Sequence, residues 1–429
     1  MILIYSEKES NRLKYILNFV FQQYFGINYE LTSSLIDFEK SELPKIFYGN
    51  SNEYFSVSNN DFLFQRGLFY PELKLTFWEN IPIYYSDNQN NTISFDLFSA
   101  IFFQLSRIEE YASKQKDKYG RFEAEFSENF KLGFLEKPIV NLWLEKLKEK
   151  LKSQFPNLVF KKNTFSEIVT IDIDAAFYFK EKGFKRTIGG FLKSALNLNF
   201  VEFLDRILVL SNVKNDPNDV YDYLHEVAAK SKISFHVFLL MANYGEIDKT
   251  INQQSLAFKN CVNTLKSFAE IGIHPGWNSS LSSEIMQNEF QKFEQIVGFK
   301  PKKSRQHYLK LTWPDTFFNL LDLGISKEYS LGYASKPGFR AGICSEFSFY
   351  DVNSEKELNL KMLPFAFMDG AFKHYENTNL ENALRKMIEL KNEAKLVNGT
   401  FVSLWHNESL SNYGIWKGWK NVFEKMLNN

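Results

Sequence analysis

Cysteine is nearly missing from this sequence: Cys261 and Cys344 are the only two in 429 residues, and they lie far apart. That excludes a disulfide framework and the paired spacing of a zinc ribbon. Net charge is missing too. Lys and Arg number 51 together, as do Asp and Glu, so bulk charge favours neither nucleic acid nor an anionic membrane, although a zero sum leaves room for a local basic patch. No apolar run approaches the roughly 20 residues of a bilayer-spanning helix. The opening residues Met1-Ile-Leu-Ile-Tyr5 lack a basic leader and a small-residue cleavage site, and they read as a short strand. The expected location is the cytoplasm. No repeat or low-complexity segment interrupts the chain.

Aromatic residues, by contrast, are abundant: 17% of the chain, with 44 Phe. Phe is expected to do the core work that Leu does elsewhere, while a few exposed rings could face a sugar. Hydrophobic and charged fractions of 44% and 24% are those of an ordinary globular chain. The length exceeds what one core supports, so two domains are expected. The boundary is placed near Pro156–Phe165, giving residues 1–163 and 164–429. The first part reads as mixed α/β. Leu13, Ile16, Leu17, Val20 and Phe21 mark a helix over 9–25, and further helices are predicted over 95–111 and 140–151. Short strands are predicted at 45–48 and 81–85. The second part alternates strands, at 168–174, 233–240 and 271–274, with helical stretches, which argues for parallel βαβ units.

Four places in that second part could carry chemistry. In Thr170-Ile-Asp172-Ile-Asp174, strand alternation puts both carboxylates on one face at a strand end, where reactive groups of parallel α/β folds gather. They suit a metal ligand and a base, or a strand end that merely meets solvent. His274-Pro-Gly-Trp277-Asn278-Ser279 follows another apolar run; His274 and Asn278 are candidate ligands, and Trp277 either faces a sugar or packs. Phe401-Val-Ser-Leu-Trp405-His406 is a third strand ending in a potential ligand or acid. In Ser304-Arg305-Gln-His307-Tyr308, Arg305 could orient a carboxylate, with His307 a partner or a structural residue. His236 lies inside an apolar strand and reads as core, while His225 and His374 carry no pattern.

The order of these motifs resembles that of the polysaccharide deacetylase family (the NodB-homology, carbohydrate esterase family four domain) over about 164–429. The segment Gly332-Tyr-Ala-Ser-Lys-Pro-Gly-Phe-Arg340-Ala-Gly is similar to a piece found in one branch of it. The resemblance implies an irregular (β/α) barrel of about seven units, a relative of the eight-unit barrel. It also implies a metal-dependent amidohydrolase that removes an acetyl or other acyl group from an amino sugar. Asp174, His274 and Asn278 would hold a divalent metal, zinc with cobalt or nickel as alternatives. Asp172 would be the base, Arg305 its positioning partner and His406 the acid. Tyr308, Trp277, Arg340 and Trp405 would contact substrate, with a backbone N–H near Tyr308 at the oxyanion. Asn278 departs from the family pattern, which has a second histidine there. The partner implied is a carbohydrate or acylated small molecule, with no nucleic acid and no membrane span. A weakened glycan-binding relative and a hydrolase of non-sugar C–N bonds are the alternatives. Phe95-Asp-Leu-Phe98, Leu105-Ser-Arg-Ile-Glu-Glu-Tyr111, Tyr119-Gly-Arg-Phe122 and Gly133-Phe-Leu-Glu-Lys-Pro138 resemble a domain of unknown function that precedes such deacetylases. Its Arg107, Glu109 and Glu110 read as a structural charge network.

Overall fold

The computed structural model describes residues 1–71, 73–84 and 91–429. The chain divides into two compact units. The first comprises residues 1–166, 338–364 and 390–401, and the second 167–337, 365–389 and 402–429. A single cut at 163 was expected. The two later segments instead fold with the N-terminal part.

The first unit is built on a parallel sheet ordered Tyr29–Thr32, Ile2–Ser6, Lys45–Tyr48, Phe55–Val57. The helix expected over 9–25 starts at Asn11, where the Ser10 side chain accepts the Leu13 N–H. It widens into a π-helix over Asn18–Tyr24, and its five marker side chains are all buried. The helix expected over 95–111 is two, Leu97–Ser106 and Ile108–Ala112, because Arg107 turns left-handed at φ 51°. A third helix runs over Ile139–Gln154. Of the strand run expected at 81–85, Ile81–Ile83 is a strand, and Tyr85 lies outside the described residues.

Charge pairing accounts for the return of 338–364 to this unit. Arg107 Nη2 lies 2.5 Å from Glu109 Oε1 and its Nε 2.9 Å from Glu110 Oε1. Arg340 then grips Glu110 with Nε (2.9 Å) and Nη2 (2.5 Å). All four side chains are buried, and charges out of water persist only when paired in this way. Arg340, expected at substrate, is therefore committed to the interior of the first unit.

The second unit carries seven strands among its described residues: β1 (Ser166–Ile173), β2 (Ser234–Leu240), β3 (Glu270–His274), β4 (Lys303–Ser304), β5 (Lys327–Glu328), β6 (Phe367–Met368) and β7 (Thr400–His406). Their order in the sheet is β5-β4-β3-β2-β1-β7-β6. The ladders from β1 to β5 and between β6 and β7 are parallel. β7 follows β1 in the same sense: Thr170 Oγ1 donates to Ser403 O at 2.7 Å, and Asn407 N to Asp172 O at 3.3 Å. Helices fill the connections, as parallel pairing requires. Val169, Ile171 and Ile173 are buried on one face of β1, and Thr170 and Asp172 on the other, the mark of a strand covered on both sides. Between β5 and β6 no ladder forms. A backbone bond from Phe365 N to Leu331 O at 3.1 Å spans the segments beside them, and among the described residues the strands do not close a barrel.

A candidate metal centre at the strand ends

Three strands of the second unit end in groups that bind cations or protons: β1 in Asp172 and Asp174, β3 in His274, β7 in His406. The β2–β3 register pairs Leu240 with His274, and β1–β2 pairs Asp172 with Phe238. Gly272 permits this closeness, since a Cβ there would lie 2.6 Å from the Phe238 ring and 2.9 Å from Lys303 O. After β4 the chain stays beside β3. Arg305 N donates to Ile273 O and His307 N to Pro275 O, which carries His307 to the end of β3.

The imidazoles converge on Asp174. His274 Nε2 lies 3.3 Å from Asp174 Oδ1, and His307 Nε2 lies 3.3 Å from Asp174 Oδ2. Ligand atoms from these three residues all fall within 4.8 Å of one another. Each ring is oriented through its other nitrogen: His274 Nδ1 pairs with Arg305 O at 2.5 Å and His307 Nδ1 with Asp248 Oδ1 at 2.6 Å. Such outer partners fix tautomer and direction in metal sites. Asp174 Oδ1 is buried without a hydrogen-bond partner. Burial pushes the Asp174 carboxyl up, but the His307 charge and the contact with His274 outweigh it and hold it well below the usual range. Burial likewise pushes His307 down, and the Asp174 and Asp248 carboxylates bring it up to about 9. The positive charge His307 carries is one a divalent cation would replace. Two imidazoles and a carboxylate suit zinc, cobalt or nickel, so the residues present fit such an ion.

Further ionisable groups flank this cluster. Asp172 is 2% exposed, with Oδ2 3.6 Å from His274 Nε2. Arg305 is fully buried, its Cζ 5.1 Å from the centroids of both the Phe238 and Phe365 rings. Its Nη2 donates to Thr170 Oγ1 at 2.9 Å, while its Nε stands 3.8 Å from Asp172 Oδ1. That is ion-pair range, beyond a hydrogen bond. His406 Nε2 is 3.8 Å from Asp174 Oδ2. Its Nδ1 meets Asp369 Oδ1 at 2.7 Å, and its backbone N–H donates to Asp369 Oδ2 at 2.8 Å. Burial lowers His406, yet the Asp369 carboxylate outweighs that and raises it well above 6.5.

The other expected site residues fall in several places. Asn278 is exposed on the 3₁₀ turn Trp277–Leu281 and makes no hydrogen bond to Asp174. It lines a recess of about 450 Å³ with Asn243, Tyr244 and Asp248. Trp277 and Tyr308 meet edge to face at 5.7 Å, and Tyr308 lies against the His307 ring at 4.8 Å. Tyr308 keeps 36% of its surface exposed, at φ 59°. Trp405 points away from His406 and is fully buried, its ring 5.0 Å from that of Phe423. The sequence reading missed Asp248 and Asp369. Asp369 closes the strand-like run Phe365-Ala-Phe-Met-Asp369, the same signal as the other strand ends; Asp248 sits in a loop with no such signal. It also missed Asp216, whose carboxylate accepts the N–H groups of Tyr178, Phe179 and Lys180 and so anchors the segment after Asp174.

Residues 2–156 match a family of unknown function (DUF7033). No curated protein matches the chain. Among solved structures, a provisionally assigned polysaccharide deacetylase from Mycobacterium smegmatis is 11% identical, covering 62% of this chain and 85% of its own, at a TM-score of 0.40. The Puue allantoinase is 10% identical over 62% and 83%, at 0.37. A probable polysaccharide deacetylase from Pseudomonas aeruginosa PAO1 is 10% identical over 62% and 83%, at 0.36. At these scores the likeness is loose and fixes no activity.

Proposed function

We propose that the second unit, read as an irregular barrel of open outline, is a metal-dependent hydrolase that removes an acetyl or other acyl group from the nitrogen of an acylated sugar or glycan precursor. The observation that carries this is one cluster, Asp174 with His274 and His307, set between Asp172, which lies beside the Arg305 guanidinium, and His406, which is bonded to the Asp369 carboxylate. In this reading His307 takes the ligand position expected for Asn278.

A divalent cation there, zinc or alternatively cobalt or nickel, supplies Lewis-acid polarisation of the amide carbonyl and brings a water's pKa from about 15.7 toward 7. Asp172 accepts the proton that water loses as its oxygen attacks the acyl carbon. Arg305, buried between the Phe238 and Phe365 rings, positions Asp172. A backbone N–H at the left-handed Tyr308 turn is a donor for the oxyanion. His406, kept cationic by Asp369, gives its proton to the departing nitrogen as the C–N bond breaks, because a free amide anion is too basic to leave. The rim formed by half-buried Trp277 and exposed Tyr308 offers aromatic surface to a sugar ring. Where Asn278 is taken as the third ligand, the site looks weakened; with His307 it does not, so hydrolysis is favoured over a purely binding role.

The test is acetate release from N-acetylated sugars, and from non-sugar amides, with zinc, cobalt or nickel added. Asp172→Asn should lose about 10²–10⁴-fold in turnover with metal content and far-UV circular dichroism unchanged. Wild-type turnover in that variant refutes the assignment of the base.

A further inference from the structure

Thirteen of the thirty-three large apolar side chains that stand exposed among the described residues lie between Tyr178 and Val213. Ten of them lie on the two helices of one hairpin, Gly183–Leu196 and Phe200–Leu210, inserted after Asp174 at the strand ends that carry the candidate metal centre. Phe184, Ile188, Leu192 and Leu196 recur every four residues, a single stripe along the first helix. Phe200 and Leu204 extend it on the second. These six side chains are between 41 and 83% exposed. The two helices are joined by other side chains. That contact is made by Phe191 on Phe203, rings 5.1 Å apart, and by Arg206, whose guanidinium occupies the space a Cβ on Gly190 would need, 2.4 Å away. The hairpin is also tied down: Arg186 Nη1 donates to Thr250 O at 2.7 Å. The stripe is thus an outward face on a fixed support.

Charge says what covers it. In a chain of net charge +0, the striped helix carries no acidic residue while its Lys185 and Lys193 are exposed, and the two acidic residues of the second helix are paired, Glu202 with Arg206 at 3.0 Å and Asp205 with Lys214 at 2.7 Å. A second copy seated on this face would set cations against cations. An anionic bilayer surface takes up both features, apolar side chains among the acyl chains and lysines among the headgroups. No helix is long and apolar enough to cross a membrane among the described residues, so the contact is with the surface alone.

We propose that this hairpin docks the protein on bilayers containing anionic lipid, with the strand-end site facing the same surface layer. Resting on the hydrolase reading, this makes an acylated glycan carried on a lipid the substrate class. Full-length protein is floated with vesicles of phosphatidylcholine alone and of phosphatidylcholine mixed with phosphatidylglycerol. It should rise with the mixed vesicles only. Leu192→Glu with Leu196→Glu should weaken partitioning about tenfold or more. Lys185→Gln and Lys193→Gln, which leave the apolar stripe intact, should weaken it about fivefold each. The proposal is overturned if the wild-type protein stays with the soluble fraction. It is equally overturned if the Glu variant floats unchanged, or if light scattering shows a dimer that the Glu variant splits and that binds no vesicles. Acetate release from a soluble N-acetylated sugar, measured on the same Glu variant, should equal wild type. If neither protein releases acetate, the hydrolase reading fails while flotation still decides the docking.

Discussion

Replacing His307 with Ala removes one of two imidazoles that lie 3.3 Å from the Asp174 carboxylate, whereas replacing Asn278 removes an exposed amide on a turn. Structural zinc sites bind with about 10–16 kcal/mol spread over four ligands, so one ligand is worth about 2.5–4 kcal/mol. That is about 10²–10³-fold in affinity, at 1.4 kcal/mol per factor of ten. His307→Ala should weaken zinc binding by that factor, and Asn278→Ala should leave it within about twofold of wild type. An intermediate case tests the orientation argument. Asp248→Asn keeps the size of the group bonded to His307 Nδ1 but loses its charge, which should cost about 10–100-fold, the usual effect of an outer-shell partner. Competition against a chromophoric chelator reads all three affinities, with circular dichroism reporting the fold. The reasoning is refuted if His307→Ala binds zinc as wild type does, or if Asn278→Ala loses more affinity than His307→Ala.

Asp369→Asn should lower kcat about 10²-fold or more while leaving zinc affinity unchanged. Because the Asp369 carboxylate raises His406, its loss lets His406 give up its proton at lower pH, so the alkaline limb of the kcat profile should shift downward; an unmoved limb removes His406 from the acid role. Arg340→Ala should destabilise the first unit by about 3 kcal/mol, the lower end of the range for a broken buried pair, since Arg107 still pairs with Glu110. Urea unfolding measures this, and a tenfold rise in KM with stability intact would instead return Arg340 to the substrate.

The strands that carry Asp172, Asp174, His274 and His406 were legible because each is a β-branched or aromatic run that stops at an ionisable residue, and burial of both faces makes such runs stand out. The helix over Ile139–Gln154 was legible from its Leu spacing for a similar reason. What escaped was set by pairing across the chain. Nothing near Arg340 announces Glu110, 230 residues away, as its partner. Trp405, expected to contact substrate, neighbours His406, but alternation along β7 turns neighbours to opposite faces, and the tryptophan takes the face that packs on Phe423.

That His307 stands beside Asp174 and Asn278 does not has a geometric cause. A second ligand four residues after the first comes back beside it, one turn on, when the chain between them is α-helical, with 3.6 residues per turn. Here Pro275 and Gly276 follow His274, Gly276 is extended at ψ 175°, and the turn beginning at Trp277 is 3₁₀. At three residues per turn, and displaced by an extended residue, position 278 leaves the face of His274. His307 arrives by another route. The β3–β4 register sets Ser304 against Ile273, and the ladder continues past the strands through His307 N to Pro275 O. Residue 307 is thereby fixed beside the end of β3, a proximity that strand pairing creates and spacing along the chain does not contain.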